Sequence, residues 1–352
     1  MNSKFVKIQV TEPEKWDKIV RTFSDHDVYH LSGYTKAFEI HGDGKPHLLY
    51  YENDGVRGMN VVMMRDIADD ARFSDKILHN TYFDLITPYG YGGWLIEGDG
   101  DTKALFYKYE EWAKSNNVVS EFVRYHPVLE NAGFSEAAYD VIPLGGTIAL
   151  DISSEEIIWA NITSKNRNMI RKAEKNGITI HMGRTSELFE TFREIYNATM
   201  DKDNADSYYY FSPDFYKSVK NDLPDNSQVF YAVYEDKIIA ASIILFENGR
   251  LNYHLSGSIR EYQNLAPTNL LLYKAALWGC ENGYKTFHLG GGVGSGEDSL
   301  FKFKKSFYRG EPCRYHIGKK IFMQKEYDKL LALRGDMPGN GFFPKYRTKG
   351  EN

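Results

Sequence analysis

The residues best suited to chemistry include a polar segment in the second half of the chain. Residues 252–258 read Asn-Tyr-His-Leu-Ser-Gly-Ser and place hydroxyl and imidazole groups along a predicted central strand. In amide-forming acyl transfer the attacking amine must lose a proton and an oxyanion must be stabilised. Tyr253, His254 and Ser256 could serve both needs. The alternative interpretation is a row of hydrogen-bonded polar residues in the core.

A second candidate segment is both basic and aromatic. Its cations, opposed only by Glu311, are Lys302, Lys304, Lys305, Arg309, Arg314, Lys319 and Lys320. Phosphate-bearing ligands favour such clusters. Phe301, Phe303 and Phe307 interleave with the lysines, and this alternation predicts phenylalanines inside and lysines outside. A smaller basic cluster, Lys165, Arg167, Arg171, Lys172 and Lys175, could also bind phosphate, but the sequence favours a solvated helix face.

Several other motifs are excluded by their spacing. The glycine run 290–296 fits neither the dinucleotide fingerprint nor the P-loop, and it is either a loop beside a site or a plain connection. His26 and His30 are four positions apart but lack the HExxH pattern, so no metal is expected. Cys280 and Cys313 imply no disulfide framework.

Composition narrows the class of protein. The chain has 352 residues, which favours two domains, and its net charge of −5 gives no global basic field for nucleic acid. Residues 1–17 are polar and unlike a signal peptide, and the nearly apolar run 238–246 is too short to span a membrane. We therefore expect a cytoplasmic protein without a membrane span.

The elements that would position these residues occur twice in the same order. Each half predicts strand, helix, strand, strand, strand, helix, strand, with hairpins around 53–55 and 235–237 and helices at 102–115 and 267–282. This order is similar to the GNAT acyltransferase fold. The predicted fold class is α/β (α+β): two tandem GNAT-like domains, each a mixed sheet flanked by helices, with a cleft between the domains.

The domain boundary is expected near Gly145 and Gly146. The N-terminal domain would comprise residues 1–146, joined by about 318–352, and the C-terminal domain residues 147–317. Residues 334–352 are rich in Gly, Pro and Lys and predict a loose tail.

Six segments in order resemble the FemAB-like family of GNAT-superfamily transferases. They are the helix-then-strand entry 166–178, the loop Pro88–Gly93, the strand ending Phe122–Pro127, the strand His254–Ser258, the helix start Ala266–Asn269, and Phe303–Phe307, which is similar to the family's Phe-Lys-x-x-Phe signature. The resemblance covers about residues 30 to 320.

This resemblance implies transfer of an acyl or aminoacyl group to an amine by direct attack. Fem proteins take amino acids from aminoacyl-tRNA and add them to the stem peptide of a peptidoglycan precursor. It implies that Phe303 and Lys304 lie at the reacting centre. From their residue types we expect Tyr253 or His254 to order the amine or relay its proton. The resemblance also implies a last segment that returns to the first domain. The remaining residues expected to bind substrate are Tyr89, Tyr91, Arg124, His126, Ser256, Asn269 and Lys305.

Two positions differ from the strict Fem pattern. His126 stands where Fem proteins have Asp, and 203–206 lacks their phosphate-binding cation. If His126 binds the acceptor, its ring should open into the cleft rather than pack in the interior. The acceptor is expected to be a cell-wall precursor or a surface-glycan-related amine, whether small, nucleotide-linked or lipid-linked.

Two alternatives stay open. One is an acyl-CoA-dependent N-acyltransferase of a small molecule or amino sugar, although 264–269 lacks the glycines of the usual pyrophosphate loop. The other is a non-catalytic glycan- or precursor-binding module. No bound cofactor is expected, only the donor as co-substrate.

Overall fold

The chain folds into two compact units. The first comprises the residues up to Leu144 and those from Tyr315 onward, and the second comprises Gly145–Arg314. The computed structural model describes residues 4–53, 55–335 and 341–348. The predicted hairpin turn at 53–55 includes Asp54, which lies outside the described residues, but the strands on either side pair as expected. Among helices of the described residues, none has the length and apolarity to cross a lipid bilayer.

The first unit opens with strands and helices in the predicted order, together with one further helix and one further short strand. The elements are β1 (Lys4–Gln9), α1 (Pro13–Val20), α2 (Ser32–His41), β2 (Lys45–Asn53), β3 (Val56–Asp66), β4 (Phe83–Ile86), β5 (Leu95–Glu97), α3 (Lys103–Ser115) and β6 (Val118–Arg124). The next strand, β7 (Asp140–Asp151), begins in the first unit and ends in the second. Helix α2 and strand β5 were not predicted from the sequence. Strands β1 to β4 pair antiparallel in sequence order, and β4 pairs parallel with β6 after the α3 crossover.

The second unit repeats this arrangement. Its elements after β7 are α4 (Glu155–Asn161), α5 (Ser164–Lys175), β8 (Thr179–Gly183), α6 (Ser186–Lys202), α7 (Pro213–Asp222), β9 (Ser227–Tyr234), β10 (Lys237–Glu247), β11 (Arg250–Ser258), α8 (Pro267–Glu281), β12 (Thr286–Gly290) and α9 (Ser299–Lys305). Strands β8 to β11 pair antiparallel, β11 pairs parallel with β12, and β12 pairs antiparallel with β7. Within each unit the strands pair in mixed directions and are joined by helical crossovers, which confirms the predicted α/β (α+β) fold class.

Helix α8 forms much of the core of the second unit. Leu270, Leu271, Leu272, Ala275 and Ala276 are all buried, because the helix is apolar on most of its surface. Pro267 occupies its first turn, where a missing N–H costs nothing. Helix α8 therefore gives a rigid support to the strands that pack against it, β8 to β11.

The sequence predicts that the phenylalanines near residue 303 point inward and the lysines outward. This prediction is wrong for Lys304. The segment is the helix α9, and the Lys304 side chain is buried. A helix places residues three apart on one face, so Phe301 and Lys304 share the inner side. The signal that favours a helix is Asp298, whose carboxylate accepts from Phe301 N as an N-cap.

The C-terminal segment returns to the first unit. It contains β13 (Cys313–Ile321), which pairs antiparallel with β6, and α10 (Gln324–Arg334). The loose tail predicted for 334–352 is wrong for the described residues 341–348. Tyr346 is fully buried there, and its hydroxyl donates to Asp84 Oδ2 at 3.1 Å. Arg347 Nε donates to the same oxygen at 2.5 Å.

Candidate functional site

Lys304 occupies a constrained position at the end of α9. Asp298 Oδ1 accepts from Phe301 N at 2.8 Å and starts the helix, while its Oδ2 accepts from Val293 N at 2.7 Å. One carboxylate thus ties the glycine-rich loop to the first turn of α9. A Cβ at Gly292 would clash with this carboxylate, which explains why that position is glycine. The loop is therefore an ordered support for the lysine.

The Lys304 ammonium contacts one group from each side of a parallel strand pair. Nζ donates to the carbonyl oxygen of Gly291 at 2.6 Å, directly after β12. It also lies 5.9 Å from the centroid of the Tyr253 ring, which belongs to β11. The parallel pairing of β11 and β12 runs from Arg250–Thr286 only as far as Asn252–His288. Lys304 therefore lies where these two strands stop pairing.

Burial changes the protonation of Lys304. The side chain is 8% exposed, and this burial lowers its pKa from 10.5 to about 8, although Asp298 opposes the shift. The amine is mostly protonated at pH 7 and titrates just above it. A cation that is only lightly solvated interacts strongly with phosphate or with a developing oxyanion.

A β-bulge in β11 brings Tyr253 and Ser256 to the same face. Ile243 pairs with Leu255 while Ile244 pairs with Tyr253, so His254 is the extra residue. Without a bulge, residues three apart in a strand would point to opposite faces. Ser242 Oγ, opposite on β10, donates to Ser256 Oγ at 2.8 Å. Burial raises the pKa of Tyr253 above its usual value, while hydrogen bonds with Ser256 and Ser242 oppose this rise. Tyr253 is thus a protonated phenol that can donate a hydrogen bond.

His254 is poorly suited to act as a base near neutral pH. Burial lowers its pKa from 6.5 to about 3. The ring is neutral at pH 7 and gains little driving force from accepting a proton. Tyr253 and Lys304, not His254, are the groups that the structure places in contact.

The other predicted residues of the second unit have partners within the fold. The Phe303 ring lies 5.5 Å from Phe307, edge-on, at the border of the core. Lys305 Nζ donates to the Gly310 carbonyl and lies 5.7 Å from the Tyr308 ring. Asn269 Nδ2, in the first turn of α8, donates to Asn166 Oδ1 of α5 at 2.8 Å. Asn269 therefore joins two helices.

In the first unit, Arg124 organises the loop that follows β4. Its Nη2 donates to the carbonyl oxygens of Thr87 at 3.0 Å and Pro88 at 3.1 Å, and Nε donates to that of Gly90 at 3.2 Å. The backbone N–H of Gly92 also donates to the carbonyl oxygen of Arg124 at 2.8 Å. These bonds hold the loop 87–92 against β6. The guanidinium N–H groups of Arg124 are largely used in them.

His126 is buried, which differs from the open ring expected from the sequence. It is 1% exposed, and its Nε2 lies 3.0 Å from Asp27 Oδ2. Leu129 N donates to its Nδ1 at 3.3 Å. This pattern assigns the proton to Nε2, so that the ring donates to Asp27 and accepts from the backbone. The aspartate that orients His126 carries no sequence signal, because it is 99 residues away.

Two predicted tyrosines belong to an aromatic cluster beside His126. Tyr91 lies 5.5 Å from the His126 ring, 5.5 Å from Tyr29 and 5.8 Å from Tyr315. The Tyr89 ring stacks on Phe38 at 5.4 Å, and its carbonyl accepts from Tyr34. Both Tyr89 and Tyr91 are half-buried.

The structure therefore brings Lys304, Tyr253 and Ser256 together in the second unit, and Tyr91 and His126 together in the first. Sequence analysis missed Ser242, Asp298 and Asp27, and it included Gly291 only as part of the glycine run 290–296. Asp298 could have been found as an N-cap three residues before Phe301, whereas the contacts of Gly291 and Asp27 depend on tertiary structure.

Comparisons with known proteins agree with this architecture. Residues 162–305 match the family model described as the acetyltransferase (GNAT) domain, which indicates an acyltransferase of the GNAT type. Comparison of the sequence with curated proteins finds no significant match.

Three solved structures illustrate the similarity of fold. FemX has a TM-score of 0.66 at 13% identity, covering 94% of this chain and 99% of FemX. L-PGS from Bacillus licheniformis has a TM-score of 0.58 at 15% identity, covering 92% of this chain and 96% of that one. A tandem GNAT protein from the clavulanic acid biosynthesis pathway has a TM-score of 0.51 at 9% identity, covering 91% and 99%. The order of elements and these shared folds show that the chain has the tandem GNAT-like fold, and residues 162–305 match the acetyltransferase (GNAT) domain.

Proposed function

We propose that the protein transfers an aminoacyl or acyl group to the amino group of a cell-wall precursor or surface-glycan-related acceptor. The observation that carries this proposal is the position of Lys304. A lysine that is 8% exposed, hydrogen-bonded to Gly291 and adjacent to Tyr253 is costly to keep, because burial disfavours its charge. Such a cation is useful where negative charge is bound or develops during a reaction.

The proposed step is direct attack of the acceptor amine on the carbonyl carbon of the donor. The new C–N bond forms as the C–O bond of an ester, or the C–S bond of a thioester, breaks. The amine proton leaves with the departing oxygen or sulfur. Lys304 stabilises the carbonyl oxygen, or a phosphate of a substrate, while it is negatively charged, and Tyr253 donates a hydrogen bond to the same charge. Holding the reactants in line supplies part of the rate enhancement, up to about 7–11 kcal/mol in favourable cases.

The roles of the other residues follow from their contacts. Ser256 and Ser242 keep the Tyr253 hydroxyl in place. Tyr89 and Tyr91 are proposed to contact the acceptor, while Arg124 and His126 hold the backbone and rings from which they project. Phe303, Asn269 and Lys305 shape the surroundings of Lys304 through their contacts within the second unit.

The first donor we propose is an aminoacyl-tRNA. An acyl-CoA is the second candidate, because helix N-termini attract phosphate and α8 has fifteen residues. Against CoA, the segment before α8 lacks the glycines that let a backbone wrap a pyrophosphate, and its Asn264 carbonyl already accepts from Lys172. The missing glycines and the occupied carbonyl favour the RNA-linked donor.

The test is a transfer assay with both donors. The purified protein is incubated with radiolabelled aminoacyl-tRNA or with acyl-CoA, together with UDP-linked muropeptide, lipid-linked muropeptide or amino-sugar acceptors. Mass spectrometry then detects the new amide. We expect a product with aminoacyl-tRNA, formed about 10²-fold or more slowly by the Lys304→Met variant. Lack of product with every donor and acceptor pair, from protein that is folded by circular dichroism, would contradict the proposal.

A further inference from the structure

Helix α5 carries a basic surface that the proposed chemistry does not use. The α5 basic face is defined here as Lys165, Arg167, Arg171, Lys172 and Lys175. All are exposed except Arg167, which is half-buried. Among the described residues, none of the five pairs with a carboxylate, whereas Glu174 on the same helix pairs with Lys274 at 3.3 Å. The face thus presents uncompensated positive charge on a chain whose net charge is −5.

Two of these cations are ordered by an aromatic ring. The guanidinium carbon of Arg171 lies 5.3 Å from the centroid of Trp159, and that of Arg167 lies 5.8 Å from it. Trp159 in turn contacts Tyr273 at 5.2 Å. Stacking on a ring holds the guanidinium groups in position and lowers the entropic cost of ordering these side chains when a ligand binds. Because these cations cover Trp159, its ring is not presented for insertion into a lipid surface, which favours a polyanion over a membrane.

The basic face is attached to the elements that carry the candidate site. Thr163 N, at the cap of α5, donates to Ser306 O at 2.9 Å, and Ser306 ends the helix that bears Lys304. Lys172 Nζ donates to Asn264 O at 2.7 Å, in the segment that leads into α8. A polyanion lying along α5 would therefore have one end close to the helix of Lys304.

The spacing of the cations matches a nucleic-acid strand. Arg167, Arg171 and Lys175 are four residues apart, which is ~6 Å each along a helix and ~12 Å in total. A duplex strand carries a phosphate about every 3.4 Å of axis, so this length spans roughly three to four phosphates.

We propose that the α5 basic face binds the phosphate backbone of RNA and thereby recruits the RNA-linked donor. This inference rests on the proposed function for its meaning, but the binding itself does not depend on catalysis. Contacts to phosphate fix position and carry little sequence information, so the face should accept the stem of many tRNAs.

The test measures binding of fluorescein-labelled, uncharged tRNA by polarisation as a function of salt. The first variant is Arg167→Gln with Arg171→Gln. The matched control is Lys108→Gln with Lys114→Gln, which removes the same charge from lysines that pair with Glu111 and Glu110 in the first unit. Arg167→Lys with Arg171→Lys keeps the charge. We expect the Gln variant to bind tRNA at least tenfold more weakly at 0.1 M salt, with a salt slope smaller by about 2, because two phosphate contacts are lost.

The control should bind within about twofold of the wild type, and the lysine variant should regain most of the lost affinity. No tRNA binding by the wild type, or equal losses in the Gln variant and the control, would overturn the inference. Loss of binding to phosphatidylglycerol vesicles in the Gln variant, with tRNA binding unchanged, would overturn it in favour of a membrane. Transfer from aminoacyl-tRNA with an unchanged KM in the Gln variant would overturn the inference alone. Binding of tRNA through α5 without any transfer would overturn only the proposed function.

Discussion

Lys304 Nζ donates to the Gly291 carbonyl oxygen at 2.6 Å and so joins the end of α9 to the loop after β12. This bond satisfies one of the three N–H groups of the ammonium and directs the cation toward Tyr253. The remaining N–H groups are available to an anionic ligand or to a developing oxyanion. The proposed transfer reaction therefore depends on the positive charge of Lys304.

The first prediction concerns pH. Burial lowers the pKa of Lys304 to about 8, so raising the pH through 8 neutralises the cation. If the ammonium stabilises negative charge, kcat should fall as pH rises from 7 to 9. The Lys304→Arg variant stays charged over this range, so its residual activity should not show that fall. A wild-type profile that is flat between pH 7 and 9 would contradict the role of the cation.

The second prediction concerns Tyr253. Tyr253→Phe keeps the ring beside Lys304 and removes the hydroxyl that Ser256 and Ser242 position. Turnover should fall by roughly 10²-fold, the scale of one lost donor to an oxyanion. The melting temperature should change little. Ser242→Ala, which only loosens the hydroxyl, should give a smaller loss; a Phe variant with full turnover would exclude Tyr253 as a donor.

The third prediction concerns His126. His126→Asn should lower the free energy of unfolding by about 1–3 kcal/mol, because the fully buried Asp27 carboxylate loses one of its donors. The pH profile of activity should keep its shape, since both ring nitrogens are used within the fold. His79→Asn is the control, because its side chain is 62% exposed. A shifted pH profile in the His126 variant would instead show that this ring takes part in proton transfer.

The fourth prediction concerns the C-terminal segment. Arg347 and Arg65 both donate to the buried Asp84 carboxylate, at 2.5 and 2.7 Å. Removing one partner of a buried pair leaves uncompensated charge, so Arg347→Ala should cost about 3–5 kcal/mol in urea unfolding. The exposed Arg309→Ala should cost less than about 0.5 kcal/mol.

The pH dependence of this pair gives a second check. Burial raises the pKa of Asp84, but Arg347 and Arg65 outweigh it and hold the pKa below its usual 3.8. The stabilisation is therefore present above pH 4 and lost as the pH falls below it. The difference between wild type and Arg347→Ala should shrink in acid. Equal unfolding midpoints for the two proteins at pH 7 would mean that the tail does not stabilise the first unit.

Local patterns predicted the order of strands and helices in both units, because hairpin turns and helix caps such as Pro267 act over a few residues. The same approach failed where long-range contacts decide the structure. The composition of the tail predicts a loose segment, yet Tyr346 and Arg347 bond to Asp84, 262 and 263 residues away. Likewise, the sequence singles out His126 but not Asp27, and it identifies Lys304 without indicating that the side chain is buried against Gly291.

The measurement that tests the central claim most directly is turnover of Lys304→Met with the donor and acceptor that the transfer assay identifies. Methionine keeps the apolar stem and removes the charge. We predict a loss of about 10²-fold or more in kcat. The melting temperature should be nearly unchanged, because losing a charge-assisted hydrogen bond of about 1.5–3 kcal/mol is offset by no longer burying a cation. Lys305→Met should be mild, since that amine contacts Gly310 and Tyr308 instead. Wild-type turnover in Lys304→Met would contradict the role of the Lys304 charge in the reaction. Equal losses in the Lys304 and Lys305 variants would mean that both lysines act only by general electrostatic attraction of the substrate.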